Sequence, residues 1–107
     1  MKMKKQAVMQ TELDLLELLK SVLDPEIEIN IVDLGLIYEL NYDGDKKVNI
    51  VMTFSTPSCP LGESIIANIK GTINQQYANF KVNIDVVFKP LWTPEMVSEE
   101  GKRLLGL

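Results

Sequence analysis

One stretch of this sequence leaves little freedom of fold: between Leu34 and Phe54 apolar side chains recur at every second position on both sides of Asp43-Gly44. Leu34, Leu36, Tyr38, Leu40 and Tyr42 share one face, and Val48, Ile50, Met52 and Phe54 resume it after the turn. A period of two is the pleat of a strand with one buried side, and Gly takes the positive φ of a tight turn at little steric cost. The segment is therefore expected to be a β-hairpin.

The flanking segments have a helical period. Thr11-x-x-Asp14 resembles a capping box, and Leu15, Leu18, Leu19, Val22 and Leu23 form a stripe that runs until Asp24-Pro25 stops it. Residues 1–10 are polar and aperiodic and are read as a flexible N-terminal tail, leaving 11–107 as the domain. Ile27, Ile29 and Ile31 alternate with Glu28 and Asn30, which predicts a short extended piece. A second helix is expected to open at Pro60, with Leu61, Ile65, Ile69 and Ile73 on its inner side, and to end near Tyr77. A third strand follows over Lys81–Phe88, and a short helix capped by Ser98 would turn Leu104 and Leu105 inward; Gly101 within it costs about 1 kcal/mol relative to Ala. The fold class is α+β: a single small domain in α-β-β-α-β-α order, its mixed sheet covered on one face by the helices. Leu36, Tyr38, Ile50, Met52, Val82 and Ile84 are predicted to form that covered face.

Composition removes whole classes of chemistry. The 107 residues include no His and one Cys, which excludes Ser-His-Asp and Cys-His catalysis, an intrachain disulfide and any multi-thiolate metal site built by one chain. Eleven basic residues against fifteen acidic ones give a net charge of −4, a poor match to a nucleic-acid backbone. No apolar run approaches the about 20 residues that span a bilayer, so no membrane role is expected and the location is read as cytoplasmic.

Chemistry concentrates in Ser55-Thr56-Pro57-Ser58-Cys59-Pro60, where a strand end meets a helix start. Pro60 suits the first helical position, which makes Cys59 the N-cap, and the unpaired amides of a helix end favour a thiolate there. The plainer alternative is that Cys59 is a small buried hydrophobe. Asp33, just before the hairpin, is the second candidate: it can bond backbone amides, or act as an oxygen ligand or proton acceptor near the thiol. Asp24 and Glu26 flank Pro25, and an Asx-type turn bond explains Asp24 at least as well. Trp92, between Pro90 and Pro94, is either a partner-binding anchor or, as is commoner, a lid on the core edge.

Asp24-Pro25-Glu26, Ile31-Val32-Asp33-Leu34-Gly35-Leu36-Ile37-Tyr38, Thr56-Pro57-Ser58-Cys59-Pro60-Leu61 and Trp92-Thr93-Pro94-Glu95-Met96 with Ser98-Glu99-Glu100 together resemble the SufT and PaaD-type metal-sulfur cluster assembly family. The resemblance covers Thr11 to Leu107. PaaD-type members carry additional C-terminal cysteines that are absent here, so the shorter SufT-like branch is the nearer comparison. The resemblance implies an accessory factor, not an enzyme, that serves iron-sulfur cluster assembly as carrier or adaptor. Its partners would be iron-sulfur apoproteins and the cluster assembly machinery, with a homodimer as one arrangement. It assigns Cys59, with Asp33 and Thr56, to a functional thiol site, and makes Asp24, Glu26, Pro57, Pro60, Ser98 and Glu99 supporting motif positions; Gly101 stands where members commonly carry Ala. One Cys per chain cannot supply a four-thiolate cluster. An iron-sulfur cluster, with Cys59 as its metal ligand, would be transient or shared between chains, and an adaptor holding none fits the sequence equally. Two further functions compete: a thiol enzyme with Cys59 as nucleophile, weakened by the lack of a His base, and a structural interaction domain using Pro90–Met96.

Overall fold

The computed structural model describes residues 5–56 and 61–106. Helix α1 (Gln6–Leu19) is followed by β1 (Ile37–Tyr42), β2 (Lys47–Met52), α2 (Gly62–Gln76), β3 (Lys81–Val86), a 3-10 turn (Pro94–Met96) and α3 (Glu99–Leu105). The sheet order is β1-β2-β3. β1 and β2 are antiparallel because a tight turn joins them, whereas β2 and β3 are parallel because a helix carries the chain between them. The sheet is thus mixed, as its connections require.

The core lies between sheet and helices. Leu15 and Leu19 of α1, Val48, Ile50 and Met52 of β2, and Ile65, Ile69 and Ile73 of α2 are buried in one cluster. α1 packs on β1 and α2, and α2 on β3. Each fully buried aliphatic side chain contributes about 1.5–3 kcal/mol by leaving water, which is why the period-two and period-3.6 patterns converge on a single face. Ile84 lies opposite Ile50 in this layer, half-buried, as the predicted register requires.

Several expectations are corrected. α1 starts at Gln6, so residues 6–10 belong to the helix and not to a tail. Thr11 is not its cap; the hydroxyl donates to the Ala7 carbonyl one turn back, a bond available only inside a helix. The stripe also ends sooner than its period suggests, leaving Leu23 outside the helix and exposed.

The segment after Pro25 is a pair of tight turns instead of an extended piece, with one isolated bridge between Leu23 and Asn30. One Asp24 carboxylate oxygen accepts from the amides of Glu26 (2.8 Å) and Ile27 (3.2 Å), so a local bond takes backbone donors that a strand would need. β1 begins at Ile37, three residues later than its pattern, and skips Tyr38: Ile37 faces Met52, and Glu39 faces Val51. This bulge removes Tyr38 from the predicted core face. Its hydroxyl instead donates to the Pro90 carbonyl at 2.7 Å.

The described N-cap of α2 is Leu61, not Cys59, which with Pro57, Ser58 and Pro60 lies outside the described residues. Gly62 opens that helix against the Phe54 ring, where an added Cβ would come within 2.8 Å of ring carbons. β3 stops at Val86, two residues before its pattern ends. In α3 the Leu104 and Leu105 side chains are exposed; the inward position is Gly101, which packs against Val97 and the Asp33 carbonyl.

Candidate functional site

Three of the motif residues, Asp33, Trp92 and Ser98, come together where the chain after β3 returns across the start of β1. Asn30 and Asp33 brace each other. The Asn30 side-chain amide donates to one Asp33 carboxylate oxygen at 2.7 Å, and its carbonyl oxygen accepts the Asp33 backbone N–H at 2.8 Å. Ser98 donates its hydroxyl to the other carboxylate oxygen at 2.7 Å and its own N–H to the Asp33 carbonyl at 2.7 Å. The same hydroxyl accepts from the Gly101 N–H at 3.0 Å, so Ser98 is both the predicted cap of α3 and a clasp on Asp33.

Two glycines make this closeness possible. Gly35 holds φ +78°, and a Cβ there would run into the Met96 carbonyl oxygen. A Cβ on Gly101 would lie 2.6 Å from a Val97 methyl and 2.9 Å from the Asp33 carbonyl oxygen. Trp92 completes the closure. Its indole N–H donates to the Leu34 carbonyl at 2.6 Å and its half-buried ring packs on the core, which is the lid arrangement.

Donation by Asn30, then by Ser98, holds the Asp33 carboxyl below its ordinary 3.8, against a smaller opposing push from burial. Asp33 is consequently a carboxylate at neutral pH. Each of its oxygens already accepts one hydrogen bond, from Asn30 and from Ser98, which fixes the orientation of the carboxylate. Its position suits it to holding the loop and the returning strap together.

The predicted site residues therefore separate into groups. Asp33 and Ser98 meet directly, with Trp92 bonded to the next residue, Leu34. Asp24 is buried and shapes its own turn, while Glu26 and Glu99 are exposed. Thr56, four residues past the end of β2, is exposed and makes no hydrogen bond to Asp33 among the described residues. Pro57, Cys59 and Pro60 lie outside the described residues, so the thiol's distance from Asp33 is not part of this geometry. Among the described residues no group of three Cys, Asp or Glu side chains is placed to hold a metal ion. No described helix is long and apolar enough to cross a membrane. Sequence reasoning missed Asn30, although Asn-x-x-Asp ahead of a glycine is a recognisable turn signal. It also missed Glu12, whose carboxylate accepts the Tyr42 N–H at 2.8 Å from the neighbouring helix.

The chain is similar in sequence and in fold to known proteins. A Porphyromonas gingivalis protein named Fe-S protein maturation auxiliary factor is 39% identical over 98 residues, covering 92% of this chain and 93% of its own. The Staphylococcus aureus Fe-S protein maturation auxiliary factor SufT is 35% identical over 80% of this chain and 98% of its own. In structure, the chain resembles a Bacillus anthracis domain of unknown function, DUF59, with TM-score 0.89 and 29% identity over 94% of this chain and 96% of that one. The family model described as iron-sulfur cluster assembly protein matches residues 12–86, which run from α1 through the hairpin and α2 to the end of β3. By that match and by these relatives, the chain belongs to the iron-sulfur cluster assembly protein family.

Proposed function

We propose that this protein is an auxiliary factor in the maturation of iron-sulfur proteins, acting in the cytoplasm through the thiol of Cys59. The observation that carries the reading is the family match over most of the folded domain, joined by curated relatives whose names give that role. Those relatives are named as auxiliary factors and not as catalysts. With one Cys and no His, this chain supplies at most one thiolate, so a cluster is cargo held jointly with a client apoprotein, the assembly machinery or a second copy. A single weak hold suits transfer, because a donor that filled every coordination position would have to be stripped before the cluster could leave. In this reading Cys59 supplies the thiol, while Asp33 and Ser98 hold the loop before β1 and the returning strap together.

The test combines genetics and composition. Cells lacking the protein are expected to lose activity of cluster-dependent enzymes at unchanged enzyme abundance, and Cys59→Ala is expected to fail to restore it while melting like the parent. Anaerobic purification with iron and sulfide quantification separates the modes: metal and sulfide that disappear in Cys59→Ala support a carrier. Full complementation by Cys59→Ala would reject the thiol site.

A further inference from the structure

The outer edge of β3 carries an arrangement that the protomer leaves incomplete. The Lys81 N–H donates to the Lys46 carbonyl and the Val87 N–H to the Met52 carbonyl. In a parallel ladder alternate residues face the neighbour, so the odd-numbered residues of β3 bond β2 and the amides and carbonyls of Val82, Ile84 and Val86 point away from the sheet. Among the described residues, no strand lies beyond β3. The opposite edge is handled differently: β1 carries the bulge at Tyr38, and the Glu12 carboxylate occupies the Tyr42 N–H.

The side chains along β3 are also unbalanced. Lys81 lies directly opposite Lys47, both exposed on the sheet's open face, and like charges placed so repel. Neither lysine forms an ion pair among the described residues. Asp85, two positions further along that face, is exposed and forms no ion pair among the described residues either.

We propose that β3 is a self-pairing edge that joins two copies of this chain in an antiparallel, two-fold interface centred on Asn83. Only this registration lets the outward residues bond each other while the charges match. Val82 exchanges backbone hydrogen bonds with the partner's Ile84, and Ile84 with the partner's Val82. Asn83 faces the partner's Asn83, and Lys81 meets the partner's Asp85 twice by symmetry. The carboxylate arriving from the partner sits beside Lys81 and offsets its repulsion with Lys47. Val82 and Ile84, half-buried in the single chain, gain cover on the helix side. The product is a continuous six-stranded sheet. Its interface is narrow, so the association is weak and becomes visible only as concentration rises. The inference is independent of the function proposed above.

Sedimentation velocity on the full chain, from about 1 μM to about 1 mM, tests it, since small interfaces of this kind dissociate within that range. The wild type is expected to shift from monomer to dimer across the series. Lys81→Glu and Asp85→Lys, each setting like charges face to face, are expected to weaken dimerisation at least about tenfold, a 1.4 kcal/mol change. The double variant is expected to restore it. Both positions are exposed, and matching melting curves establish that each variant folds. A wild type that stays monomeric throughout overturns the proposal, including where it binds an extended peptide instead. So does a dimer indifferent to the single charge reversals, or one that the double variant fails to restore.

Discussion

Replacing Ser98 with Ala tests the clasp most directly, because one hydroxyl serves two partners. The substitution removes the α3 cap bond to the Gly101 N–H, worth about 1 kcal/mol. It also removes the shorter bond to the Asp33 carboxylate; bonds to charged groups contribute about 1.5–3 kcal/mol, and the low end applies because Asn30 still holds the other oxygen. The sum is roughly 2.5 kcal/mol, a large share of the about 5–15 kcal/mol that holds a domain together. At about 5 °C per kcal/mol for a domain near this size, the melting midpoint should fall by roughly 12 °C. The pH dependence adds a second signature. Asp33 titrates below 3.8 in the folded protein, so the stability it contributes is present above its unfolded value and is lost as pH falls through the lower, folded one. Ser98→Ala deletes one of the two donors that depress this value, so the gap between variant and parent should narrow as pH drops below about 4. Urea denaturation from neutral to strongly acidic pH measures both effects. A loss under about 0.5 kcal/mol, or a gap unchanged by acid, would refute the clasp as drawn, since surface substitutions alone reach that size.

Three more outcomes follow from the same geometry. Gly35→Ala should cost at least about 3 kcal/mol, adding left-handed backbone strain to the collision with the Met96 carbonyl; denaturant midpoints will show it. Trp92→Phe keeps a ring but strands the Leu34 carbonyl, for an expected loss of about 2 kcal/mol by calorimetry. Ile50→Ala should cost about 2–5 kcal/mol, and a smaller loss would show that the middle of β2 is not the centre of the core.

The parts of this fold that could be read from sequence are those where burial and period agree. The hairpin, α2 and β3 each present one apolar face, and the structure pairs Ile50 with Ile84 as that pattern requires. The loop after Asp24 misleads for a physical reason: Ile29 and Ile31 are buried, as their alternation implies, but turns and not a strand bury them. A side chain that captures its own backbone amides is invisible to a hydrophobic period. The bulge at Tyr38 is hidden for the same reason, since a skipped residue leaves the alternation in the sequence intact. At the site, Asp33 and Ser98 were identifiable one by one, but not as a pair, because only the fold brings residues 65 positions apart into hydrogen-bonding distance.

That separation gives the protein a timetable during its synthesis. Ribosomes add about 5–20 residues per second, so the loop carrying Asp33 emerges roughly 3 to 13 seconds before Ser98 can reach it. Trp92 arrives only slightly sooner. Throughout that interval the nascent chain can pair β1 with β2, but the carbonyl of Leu34 lacks the Trp92 donor and the carboxylate of Asp33 has Asn30 without Ser98. Slow decoding between these two points would prolong the exposure without changing one residue of the finished molecule. Synonymous changes in that stretch of the message are therefore a way to alter yield, with the folded product left identical.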